Sequence, residues 1–158
     1  MATREYSKSI ADSIREFLEN DGWRFSFDDD KGTFHFGLNL SGSLKKTNYL
    51  INVKEDRYLV YAISPIGAAE DDDAMMANMA EFICRANYGL IDGNFELDVR
   101  DGEIRFKSFV NCDGVMPSTE IIKESIYCPA AMFERYSMGI TGIIFGGLNA
   151  KEAIDKCE

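Results

Sequence analysis

Apolar and polar residues alternate most regularly between Asn94 and Val110, in the run NFELDVRDGEIRFKSFV. Phe95, Leu97 and Val99 interleave with Glu96, Asp98 and Arg100, and after Asp101-Gly102 the apolar series resumes at Ile104 and Phe106. This pattern predicts two half-buried strands around a tight turn. Asp-Gly favours a two-residue type I′ turn, because both central residues need positive φ and glycine tolerates it freely. Such a turn pairs Arg100 with Glu103, Asp98 with Arg105 and Glu96 with Lys107 on one face, and Val99 with Ile104 and Leu97 with Phe106 on the other. Phe109 falls on the charged face, where an aromatic residue can mark contact with another chain.

Earlier in the chain, Tyr6, Ile10, Ile14, Phe17 and Leu18 recur at helical spacing up to the stop Asn20-Asp21-Gly22, which predicts an amphipathic helix over 6–18. The period then switches to two. Trp23, Phe25 and Phe27 share one strand face, residues 28–32 form a polar turn, and Phe34, Phe36, Leu38 and Leu40 share a face of the next strand. Residues 41–48 read as a loop, and strands follow over 49–54 and 58–64. The second of these is apolar on both faces, with Tyr58, Val60 and Ala62 opposite Leu59, Tyr61 and Ile63, as in a strand that is central or covered on both sides.

Asp71-Asp72-Asp73 suit the positive end of a helix dipole, and the stripe Met75, Met79, Phe82, Ile83 and Ala86 runs from there to a stop at Gly89. Ser118 caps a further helix carrying Ile121, Ile122, Ile126, Met132, Phe133 and Tyr136. Pro129 lies inside it, predicting a kink or break near Cys128. Asn149, with Glu152 three residues on, predicts a capping box and a short last helix over 150–156. The order helix, four strands, helix, two-strand hairpin, C-terminal helices reads as a single α+β domain over 1–158 with a mainly antiparallel sheet.

Composition narrows the function classes. A chain of 158 residues can bury roughly 70% of the surface its unfolded form exposes, so it builds a core without staples. A net charge of -10 argues against nucleic acid, whose phosphates need clustered Lys and Arg; Lys45-Lys46 is the sole adjacent basic pair. Cys84, Cys112, Cys128 and Cys157 are widely spaced and form no C-x-x-C pair, which points to free thiols in a reducing cytoplasm rather than to zinc. The start MATREYSKSIADSI has no apolar leader core, and no run approaches the ~18 residues that span a bilayer. A cytoplasmic protein without membrane contact is expected.

Candidate chemistry is sparse. Asp28-Asp29-Asp30 matches part of a calcium loop, but the sixth and twelfth positions are Thr33 and Asn39 instead of glycine and glutamate, so a solvated turn and no metal are expected. The glycines from Gly139 to Gly147 lack a following G-K-[ST] and read as close packing or a bend, with no cofactor implied. His35, the single histidine, stands between Phe34 and Phe36 with no serine or cysteine motif beside it. No catalytic residue is assigned, and a small-molecule-processing enzyme using His35 is the weaker alternative. Cys128 would be reactive at a helix N-terminus; burial as a small apolar residue is the simpler reading. Leu59, Tyr61, Ile63 and Phe109 are the candidate contacts for a protein partner, and Met76, Met79 and Tyr88 those of a homodimer.

The run FICRANYGLIDGNFELDVRDGEIRFK over 82–107 joins a helix ending in Asn-Tyr, a glycine before an F-x-L-D strand and a D-G-E-hydrophobic hairpin. It resembles the YbjN-type family of bacterial proteins. The ending FGGLNAKEAI is similar to that family's closing glycine-rich turn and short helix, so the similarity extends over most of 82–156, while the first 80 residues match in element order. Tyr127-Cys128-Pro129 departs from the unbroken helix of the family. The resemblance implies a fold like type III secretion chaperones, a small α+β domain that dimerises and binds segments of other proteins. Family members are labelled sensory transduction regulators, with no catalytic residues to carry over. The expectation is thus a non-enzymatic, chaperone-like protein-binding or regulatory module of a bacterial cell. The alternative is a dedicated type III secretion chaperone for one effector.

Overall fold

The computed structural model describes residues 4–158. Six strands, β1 (Phe25–Asp28), β2 (Thr33–Asn39), β3 (Lys46–Val53), β4 (Arg57–Ile63), β5 (Asn94–Leu97) and β6 (Ile104–Asn111), form one antiparallel sheet in the order β1-β2-β3-β4-β6-β5. Four helices, α1 (Lys8–Asn20), α2 (Asp73–Asn87), α3 (Thr119–Gly146) and α4 (Ala150–Asp155), complete an α+β architecture in the element order read from the pattern. Phe34, Tyr49, Ile51, Tyr58, Val60 and Phe106 point from the sheet into the helices and are buried. Alternate positions along the same strands point the other way, onto a face that none of the described helices covers.

The helix starts follow their caps. Ser7 accepts from the Ile10 amide and opens α1, so the helix begins after Tyr6, whose hydroxyl donates to the Asp29 carbonyl oxygen at 2.7 Å. Asp72 does the same for α2 by accepting from the Met75 amide, and Asn149 with Glu152 forms the expected capping box on α4. The glycines of α3 are close contacts: a Cβ on Gly139 would fall inside the Phe82 ring, and one on Gly142 against Leu148.

Two expectations are corrected. The first is the break at Pro129, since α3 runs unbroken through it from Thr119 to Gly146. Proline removes its own donor and pushes on the preceding turn, which opens the ladder there. The phenol of Tyr49 reaches this stretch of α3 from β3. Its hydroxyl donates to the Ile126 carbonyl at 2.6 Å, three residues before the proline. One strand over, the Tyr58 hydroxyl lies 2.9 Å from Ser125 Oγ, which donates to the Ile122 carbonyl. Buried sheet tyrosines thus hydrogen-bond to the turn of α3 that precedes the proline.

The second is the hairpin register. Phe95 faces Phe106, Glu96 faces Arg105 and Leu97 faces Ile104, a slip of two residues from the pairing that a turn at Asp101-Gly102 dictates. The cause is Asp98. Its Oδ1 accepts from the Arg100 amide at 2.9 Å and its carbonyl from the Gly102 amide at 2.7 Å, so the loop occupies Val99 to Gly102 and only Gly102 has positive φ. Ala68 fastens this loop by donating to the Gly102 carbonyl at 3.0 Å. Val99 is consequently exposed instead of opposing Ile104. A slip of two keeps every side chain on its expected face.

Candidate functional site

The uncovered sheet face is organised in rows set by the registers of β3, β4 and β6. Asn52, Leu59 and Phe109 form one row, Leu50, Tyr61 and Lys107 the next, and Asn48, Ile63 and Arg105 the third. Ser64 donates its amide to the Ile104 carbonyl at 2.8 Å, which places Leu59 opposite Phe109 in a non-hydrogen-bonded pair, the closer of the two antiparallel spacings. Sequence alternation therefore brought Leu59, Tyr61, Ile63 and Phe109 to one place. The first three are half-buried and Phe109 is 52% exposed. β4 is central, as its two apolar faces imply, but the second face has no cover among the described residues.

Cations frame the patch. The Arg105 guanidinium lies 4.3 Å from the Tyr61 ring centroid and that of Arg57 lies 5.6 Å from the Phe109 ring. Glu96 accepts from Arg105 and from Lys107 at 2.6 Å each. Burial raises the Glu96 pKa, but the hydrogen bonds from Lys107 and Arg105 outweigh it and hold the carboxyl below its ordinary range. Its ionised form locks the two cations in place, so the apolar patch has a rigid polar border.

The other candidates separate. Met79 is fully buried among core residues and is not available to a second chain, a correction to its reading as a dimer contact. Met76 is half-buried and Tyr88 is 92% exposed. His35 is exposed on the uncovered face between Ser26 and Leu50, with no cysteine or carboxylate pair beside it in the sheet. Cys128 sits mid-helix. Burial, and after it the Asp92 and Glu124 charges, push its thiol up, the opposite of an activated nucleophile. Asp28 spends its carboxylate on the turn, accepting from the Asp30 and Lys31 amides.

No protein-family model and no curated protein matches the chain. Among solved structures, YbjN from E. coli, a proposed transcription regulator, superimposes with a TM-score of 0.58 at 12% identity over 87% of this chain and 89% of that one. The fold resembles that of YbjN. A chain of the HopA1-SchA chaperone-effector complex aligns with a TM-score of 0.49 at 13% identity, over 80% of this chain and 91% of that one. The YbjN likeness is one of fold and carries no residue role across.

Pattern reading missed one feature. A cavity of about 300 Å³ opens beside β6 between the segment before β5 and the first half of α3, lined among others by Asp92, Val110, Ile121, Glu124, Ser125 and Cys128. It exists because β5 is shorter than β6, a length difference that alternation does not encode.

Proposed function

We propose that the chain is a chaperone-like, non-enzymatic protein-binding module of a bacterial cell, a single cytoplasmic domain whose open sheet face receives a segment of a protein partner. The observation that carries this reading is the Leu59–Phe109 pair with Tyr61 and Ile63, an apolar patch on a sheet face that nothing among the described residues covers. An apolar patch rimmed by charged residues is a mark of protein contact. On a scale of about 25 cal/mol per Å² of apolar area, covering four such side chains contributes several kcal/mol against the entropy of association. Dimerisation through Tyr88 and Met76 completes the reading, supported by the near-total exposure of the Tyr88 ring.

The test is affinity capture followed by mass spectrometry, then repetition with Phe109→Asp and Tyr61→Asp. Both side chains lie outside the buried core, so the variants fold, as circular dichroism checks. Loss of the captured partner supports the face. If both variants leave capture and oligomeric state unchanged, the face is not the binding surface. Constant co-purification with one secreted effector narrows the role to a dedicated secretion chaperone.

A further inference from the structure

β6 outruns its partner. β5 begins at Asn94 opposite Lys107, while β6 continues through Ser108, Phe109, Val110 and Asn111. The Ser64–Ile104 hydrogen bond sets the parity of the strand: Ile104, Phe106, Ser108 and Val110 direct their amides and carbonyls to β4. Phe109 and Asn111 direct theirs to the opposite side, where β5 has ended. Among the described residues neither finds a backbone partner there. Two donors and two acceptors are left in strand geometry at the shoulder of the sheet, which is the chemistry that recognises an extended main chain.

The cavity described above adjoins this shoulder on its helix side. Its walls combine apolar Val110 and Ile121 with the carboxylates of Asp92 and Glu124. Both carboxylates are exposed, both act electrostatically on Cys128 within the cavity, and among the described residues neither joins an ion pair. A strand laid against the shoulder sends alternate side chains into the cavity and toward Phe109 on the open face. A lysine or arginine suits the first position, with its stem against Ile121 and its head between the two carboxylates. An aliphatic residue suits the second. A second copy of this chain does not suit, because antiparallel pairing of two such shoulders brings the acidic walls together on chains of net charge -10.

We propose that the shoulder of β6 at Phe109–Asn111 takes an extended segment of another protein as a short added strand, with a basic side chain in the cavity and an apolar one beside Phe109. This rests on the reading of the chain as a protein-binding module and specifies the partner's backbone conformation and charge.

The probe is a capped hexapeptide of alternating valine and lysine, titrated into the isotope-labelled full chain at physiological salt and followed by amide NMR. The Phe109 and Asn111 amides shift and their hydrogen exchange slows. The double variant Asp92→Asn, Glu124→Gln weakens binding by about tenfold. Methylation of the peptide nitrogens that face β6 abolishes binding, and an alternating valine-glutamate peptide does not bind. The proposal is overturned if no peptide shifts these two amides, if the double variant binds unchanged, or if the shifts fall on Leu59 and Tyr61 alone. That last result leaves the open-face reading standing. Unchanged partner capture by Tyr61→Asp removes the face and leaves the shoulder.

Discussion

The Tyr49 hydroxyl and the Ile126 carbonyl oxygen are 2.6 Å apart, a buried bond from the middle of the sheet into the one helix that contains an internal proline. Tyr49→Phe leaves that carbonyl without the phenol, at a cost of about 1–3 kcal/mol. In a Pro129→Ala background the helical ladder closes by itself, so the same substitution costs much less. Urea unfolding of the four proteins in a double-mutant cycle reads the coupling, expected near ~1 kcal/mol; strict additivity means that Tyr49 does not compensate for the proline.

Gly102 carries the turn at φ 80°, and a Cβ there would overlap the Ala68 carbonyl. Gly102→Ala is expected to destabilise by about 1–3 kcal/mol. Acid acts on the same loop through Asp98, whose hydrogen bonds with Arg100 depress its pKa from 3.8 to about 2. A depressed folded-state pKa means that the contribution is complete above the ordinary value and lost as pH falls toward 2. The Arg100 and Gly102 amide signals are expected to move between pH 4 and 2 before the core signals do; simultaneous loss argues against a local effect.

Met79 and Tyr88, both first read as surfaces for a second chain, diverge in their expected cost. Met79→Ala opens a cavity in the core and costs about 2–5 kcal/mol. Tyr88→Ala changes stability by less than about 0.5 kcal/mol. Thermal melts distinguish them, and sedimentation of Tyr88→Asp and Met76→Asp tests the dimer: an unchanged mass removes those residues from any interface.

Alkaline pH is expected to destabilise the chain through its tyrosines. Burial pushes Tyr49 and Tyr58 well above 10, and burial together with Glu158 takes Tyr136 to about 12. A raised folded-state pKa gives a contribution that is complete below pH 10 and lost as pH climbs toward the folded value. Tyrosinate absorbance and loss of helicity are expected to rise together above pH 10. A phenol signal that titrates with the fold intact means these hydroxyls are not held as described.

The partition between what alternation reveals and what it hides follows from range. Leu59, Tyr61, Ile63 and Phe109 share a face because side chains alternate along any strand, and a slip of two in the neighbouring hairpin leaves that unchanged. The slip was not readable because Asp98 competes with Asp101-Gly102 for the turn and a distant residue, Ala68, holds the result. Pro129 pointed to a break because helix rules are local, whereas Tyr49, on another element, bonds to the turn before it. Helical spacing put Met79 on the apolar stripe but could not say whether the stripe faced this chain or another. The shoulder beside Phe109 depends on where β5 starts relative to the end of β6, which neither strand's own residues announce.

The sheet order also has a kinetic side. Among the described strands, β1–β2, β2–β3, β3–β4 and β5–β6 each join neighbours along the chain, while β4 meets β6 across about forty intervening residues. Closing that loop costs entropy before any of its pairs forms, so the two halves are expected to assemble before the β4–β6 seam. Until it does, β4 exposes a bare central edge. Crowded nascent chains can then seal the seam in trans and trade C-terminal halves, and folding at low concentration keeps each half with its own partner.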